Sequence, residues 1–196
     1  TGSLAWILLF FVILIVAVGW WRGLLALGGL AITMIIVFGF LFPRILAGAD
    51  PLWSTLIASL LILAINIPLS HGFSKITGTA FLGTMSGLCF SVIFAKWFTA
   101  AANLSGLANE EAIFFAWDSA QIDPRGILLA AIILGAVGVF DDVAITQAEA
   151  VSEIAQADPK LSAKELYKRA MRIGRHHIAS MVNTLVLAYV GVSLPL

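Results

Sequence analysis

Residues 126–157 read GILLAAIILGAVGVFDDVAITQAEAVSEIAQA, and the fold turns on how this stretch is read. Its uncharged part runs from Gly126 to Phe140, short of the ~20 residues that a helix rising ~1.5 Å per residue needs to cross a bilayer. A spanning helix must therefore continue through Asp141 and Asp142 to about Ile145. That places two carboxylates within or at the edge of the membrane. No Gly or Pro interrupts Val139 to Ala157, and Ala and Glu favour helix. The spacing predicts one continuous helix to about Gln156.

The rest of the chain is of the same kind. Uncharged runs cover Thr1 to Trp21, Gly23 to Pro43, Pro51 to Ser70, Ile76 to Ala95 and Ile178 to Leu196. Of the 196 residues, 61% are hydrophobic and 11% charged, where a soluble domain carries about 25% charged residues. The mean hydropathy of +1.03 agrees. This composition excludes a soluble enzyme, a nucleic-acid-binding module and a disordered linker. The single cysteine, Cys89, has no internal partner for a disulfide. No alternation of the β-barrel kind is present. The expected fold is all-α: a polytopic transmembrane bundle of about six spans forming one domain over 1–196. The spans are expected at about 3–20, 23–42, 52–70, 78–98, 126–145 (running on to about 156) and 163–194, the last entering the membrane from about 177.

Basic residues set the expected orientation, since cytoplasmic loops are enriched in Lys and Arg. Eight of the eleven, namely Arg22, Lys75 and the six of 160–175, fall on one side. Arg44, Lys96 and Arg125 fall on the other, with Asp50, Glu110, Glu111, Asp118 and Asp123. The basic side reads as cytoplasmic, which puts the N-terminal end outside, the loop 146–177 inside and the protein in the cell membrane. Residues 1–21 lack the basic n-region and cleavage site of a signal peptide and read as a span. The chain begins and ends in apolar sequence and is expected to be part of a longer protein. Glu110 to Trp117 suits a short interfacial helix anchored by Trp117, and Trp20, Trp21 and Arg22 suit an interfacial belt. Asp158-Pro159 should end one helix, and Ser162-x-x-Glu165 is a capping box that should start the next.

Helical geometry then orders the polar residues. With Asp142 as zero at ~100° per residue, Gly135, Gly138, Thr146, Glu149 and Glu153 all fall within about 40° of it, while Asp141 points about 100° away. An ionised carboxylate at bilayer depth costs at least ~2.5 kcal/mol, so such acids face a cavity, a cation or a basic partner. Asp142 is expected to be the main coupling carboxylate because it continues the Gly135/Gly138 face. Asp141, His177 and Glu149 are the further candidates for proton or cation coupling. His177, Ser180 and Thr184 share one face of the sixth span, and His176 and Asn183 another. Asn66, with Pro68 two residues on, reads either as a kink with an interhelical hydrogen bond or as a broken helix with freed carbonyls. Asn66, His176, Asn183 and Thr146 are secondary polar candidates. Gly83-x-x-x-Gly87 reads as a close helix contact and Lys96 as snorkelling to the outer interface. The spacing of acids and histidines matches no known ligand pattern, so no metal, cofactor or catalytic residue is expected.

Two blocks carry a family resemblance. GVFDDVAITQAEAVSEIA at 138–155 and ELYKRAMRIGRHHIASMVNTLVLAYVGVSLPL at 165–196 resemble the YibE/F-like family of bacterial membrane proteins. The order and spacing of the four preceding spans also suit that family. The resemblance implies an extracytoplasmic region before the bundle, more spans after it, and a permease-type role with no defined substrate. It also implies that Asp141, Asp142 and His177 matter. Family members commonly carry an acid where this chain has His176; imidazole keeps a polar group there and removes a fixed negative charge.

Three functions are weighed. A transporter or permease component using membrane-edge carboxylates for proton or cation coupling fits the acids and the small residues beside them. A membrane scaffold or receptor with structural acids is the alternative. An intramembrane enzyme fits least: aspartyl proteolysis needs two acids from different spans sharing a proton, whereas these are adjacent on one helix, and Ile145 stands where prenyl transfer would need a third aspartate. The expected partners are the lipid bilayer, a small solute or ion, and a second copy or partner membrane protein, with no nucleic acid.

Overall fold

The computed structural model describes residues 2–107 and 123–193, all of whose regular elements are helices. The expected interfacial helix of Glu110 to Trp117 lies outside the described residues. Helix α1 covers Gly2–Ile36 and bends sharply at Trp20, whose φ of 48° and ψ of −133° are not helical. A Cβ added at Gly23 would lie 2.5 Å from the Ile15 carbonyl oxygen, whereas residues eight apart in a straight helix are separated by about 12 Å. The chain therefore folds back on itself here, and only a residue without a side chain fits at 23. Before the bend, Ala5 to Leu14 are exposed throughout. Beyond it, Gly23, Gly29, Val37 and Leu41 are buried.

A π-turn, Val37–Leu41, leads into the short helix α2, Phe42–Leu46. Pro43 explains the wide turn, because it cannot donate to the carbonyl four residues back and its ring clashes there. Helix α3 (Pro51–His71) starts at Asp50, whose carboxylate accepts from the Trp53 amide at 2.9 Å, with Pro51 in the first turn. Only three residues separate it from α4 (Lys75–Ala101), so the two are antiparallel neighbours. Ser74 caps α4 by accepting from the Thr77 amide at 3.1 Å, and Gly72 makes the turn at φ 74°. Helix α5 (Pro124–Ala157) is capped by Asp123 and runs unbroken past Asp141 and Asp142. Helix α6 (Ala163–Ser193) starts at the box between Ser162 and Glu165, whose amide donates to the Ser162 hydroxyl at 3.3 Å.

Helix α3 lies at the centre. Its Leu52, Leu63 and Ile67 pack with Leu88 of α4 and with Ile133 and Val137 of α5. Ser54, Thr55, Ala58 and Ser59 are also fully enclosed, small side chains that let backbones approach where lipid supplies no hydrophobic drive for helix association. The most extensive contact joins α4 to α5. There a Cβ at Gly83 would stand 3.7 Å from Ala144, and one at Gly87 would stand 3.2 Å from the Phe140 ring. The outward sides of the helices carry exposed Trp, Phe, Leu and Ile, the surface expected of a protein whose solvent is lipid.

Among the described residues four helices are long and apolar enough to cross a membrane, so six spans are somewhat more than the structure shows. The two spans expected before residue 43 fall within one apolar stretch, Ala5–Leu46, of 42 residues. That is about twice the crossing length, and the bend divides it. Helix α6 falls short in hydropathy because Arg175, His176, His177, Asn183 and Thr184 interrupt its described apolar part.

Candidate functional site

The polar residues gather at the end of the bundle where α3 stops and α4 starts. On α5 the buried positions are Gly126, Ala130, Ile133, Val137 and Ile145, spaced three or four apart except for one gap of eight. Asp141 fills that gap, four residues from each flank. It is half-buried, and its Oδ1 is enclosed with no hydrogen-bond partner in the protein. His71 of α3 and the adjacent Asp142 both lie within electrostatic reach of its carboxylate. The neighbouring Thr84 hydroxyl of α4 donates to the Phe140 carbonyl at 3.4 Å.

Asp142, one residue on, is exposed, as are Gly135, Gly138, Glu149 and Glu153. The small residues and acids do share a face, and that face is turned away from the core. Glu149 reaches back from its edge: its Oε1 lies 3.6 Å from Nδ1 of His71, an ion pair whenever the imidazole is protonated. Their side chains are 50% and 32% exposed, so water screens the pair strongly. Thr146 is half-buried beside them.

Helix α6 packs against α5, and its buried positions are Ala170 and Gly174, with Leu166, Met171, His177, Met181 and Leu185 half-buried. Gln147 fixes the crossing by donating from Nε2 to the Ala170 carbonyl at 3.1 Å, and its Oε1 would lie 2.6 Å from a Cβ at Gly174. The Nε2 of His177 is enclosed and without a partner in the protein. His176, Ser180, Asn183 and Thr184 are exposed. The ion pair among the described residues joins α5 to His71 of α3, and no histidine of α6 pairs with Asp141 or Asp142. No three His, Cys, Asp or Glu among the described residues are arranged to hold a metal ion.

Asn66 stands apart from this cluster. Its Nδ2 donates to the Thr33 hydroxyl at 2.8 Å, and Thr33 in turn donates to the Gly29 carbonyl at 2.9 Å. Helix α3 continues through Pro68 without a break. Of the two readings of Asn66, the interhelical hydrogen bond is the one observed.

Sequence reasoning overlooked His71. It ends an apolar run one residue before Gly72 and three before the Ser74 cap, a place where basic side chains commonly sit simply to meet helix carbonyls. The signal that could have found it is its level: a hairpin of three residues puts it at the same end of the bundle as Lys75. The incompletely bonded hydroxyls of Thr55, Ser59 and Thr99 inside the bundle were also not foreseen.

Neither the curated proteins nor the solved structures hold a significant match to the chain. A family match does cover nearly all of it, from residue 7 to residue 196, including α5 with its acids and all of α6. On that match the chain belongs to the family described as YibE/F-like protein, a membrane protein by its apolar helices.

Proposed function

We propose that the protein is a permease component in which a carboxylate at the membrane edge couples solute or ion movement to protonation. The observation that carries this reading is Asp141: a carboxyl on the buried stripe of α5 with one oxygen enclosed and unpartnered. Buried polar atoms are nearly always hydrogen-bonded, so an orphan of this kind needs an explanation. A carboxyl that gains and loses a proton supplies one. Asp141 takes the leading role, with the ion pair of His71 and Glu149 beside it, and His177 of α6 adds an enclosed, unpartnered ring nitrogen. Asp142 is the exposed acid through which protons reach Asp141 from solvent. Thr55, Ser59 and Thr99 provide further enclosed polar atoms through the bundle toward the opposite end. The reading sets the basic ends, with Lys75 and the loop 146–177, in the cytoplasm of a cell membrane, and it uses no cofactor and no covalent step.

The test is proton flux in liposomes reconstituted with the protein, with Asp141→Asn and Asp142→Asn each shown to insert and fold. Flux should collapse with the first and fall less with the second. Equal, mild losses would mean that both are hydrated interfacial acids, and the coupling reading would then fail. A scaffold role is the second reading, favoured by the outward row of Asp142, Glu149 and Glu153, which a basic partner helix could engage. Normal partner capture with no flux in the native protein would support it instead.

A further inference from the structure

Lys75, at the start of α4, borders two separate grooves. The first, of about 520 Å³, lies between α4 and α5 and is floored by Ala80, Gly83, Val143 and Ala144. The second, of about 550 Å³, lies between α3 and α4 and is floored by Ala64, Ile67, Gly78 and Phe81. On α4 the residues of the first groove (Ile76, Thr79, Ala80, Gly83) and those of the second (Ser74, Thr77, Gly78, Phe81) occupy opposite sides of the helix. Both grooves run along the bundle from the level where the uncharged runs of α3 and α4 end. Among the described residues, Lys75 is the one charged side chain lining either of them, and no acid lines them. Phe73, in the hairpin beside it, is 94% exposed, as suits an aromatic side chain inserted at a bilayer interface.

We infer that this end of α4 binds one anionic diacyl phospholipid, its phosphate on the Lys75 ammonium and one acyl chain in each groove. The charge decides the headgroup: among the described residues the lining of the grooves carries the Lys75 ammonium and no acid, which favours a net negative lipid over a zwitterionic one, whose own ammonium Lys75 repels. The two grooves flanking a single cation decide the number of chains. The site is independent of the Asp141 cluster, since neither Asp141 nor His71 lines either groove.

The experiment is native mass spectrometry on the intact, delipidated protein titrated with phosphatidylglycerol, phosphatidylcholine or one-chain lysophosphatidylglycerol of matched chain length. One phosphatidylglycerol should be retained in preference to phosphatidylcholine. Lys75→Gln should lower that retention about fivefold, the effect of one basic residue at an anionic surface, and Lys75→Arg should restore it. A Cβ at Gly78 meets nothing within 4 Å, and Gly78 lines the second groove, so Gly78→Leu obstructs that groove from a position with open space at its Cβ. This variant should reduce diacyl binding to the level of the one-chain lipid. Inorganic phosphate should not compete, because the grooves hold the chains. Equal retention of the two diacyl lipids, or unchanged phosphatidylglycerol binding in Lys75→Gln, would overturn the inference; so would displacement by phosphate alone.

Discussion

Asp141 and Asp142 are neighbours in the chain with different surroundings, and the difference is one of azimuth. A step of about 100° around the helix carries one onto the stripe of Ile133, Val137 and Ile145 and leaves the other outside with Glu149. The Gly135/Gly138 face pointed to Asp142 because small residues commonly mark helix contacts in membranes. On α5 the close contacts at this level are instead made by Phe140 and Ala144 against the glycines of α4. Which acid is enclosed could not be read from α5 alone, since in a bilayer the lipid-facing and core-facing sides are both apolar. Asn66 offers a cleaner test at single-residue level. Asn66→Leu removes the bond to Thr33 and should destabilise the protein by about 0.6 kcal/mol, the average for interhelical hydrogen bonds in a membrane. Reversible unfolding in mixed micelles measures it, and a larger loss than about 2 kcal/mol would show that Asn66 does more than hold α1 to α3.

Among the helices, the starts of α3, α4, α5 and α6 are each capped by the side chain just before them, Asp50, Ser74, Asp123 and Ser162; the Ser162 box is the one read from the sequence. Local hydrogen bonding makes these boundaries legible, because a cap needs only its own next three residues. Ser162→Ala should cost about 1 kcal/mol at the start of α6. Hydrogen exchange should show faster exchange of the Glu165 and Leu166 amides, with the α5 interior unchanged. The α4–α5 contact should be less forgiving. Gly87→Leu pushes a branched side chain into the Phe140 ring and should destabilise by about 1–3 kcal/mol, the usual cost of overpacking. A Gly78→Leu control, facing open space on the same helix, should leave the melting temperature nearly unchanged.

For the molecule as a whole, orientation is open to direct measurement. With Cys89 replaced by Ser, a cysteine introduced in 146–177 should resist an impermeant thiol reagent added outside intact cells, and ready labelling would reverse the proposed topology. The class of the fold was decided by the chain alone: long uncharged runs can satisfy their backbone in lipid only as helices or closed barrels, and no barrel alternation exists here. The same holds for the continuity of α5, since an uninterrupted run of good helix formers needs no partner to specify it. The reversal at Trp20 is different. It depends on Gly23 meeting the Ile15 carbonyl, a contact between two arms that no local pattern encodes. The pairing of His71 with Glu149 and the enclosure of Asp141 also depend on contact. They arise where α3, α4 and α5 converge, from packing whose directions are set by small residues distributed over all three helices. Propensity and hydropathy act within a segment, and so they determined what the segments are. Which side chains of different segments meet is a property of how the helices pack, and tertiary structure decided that.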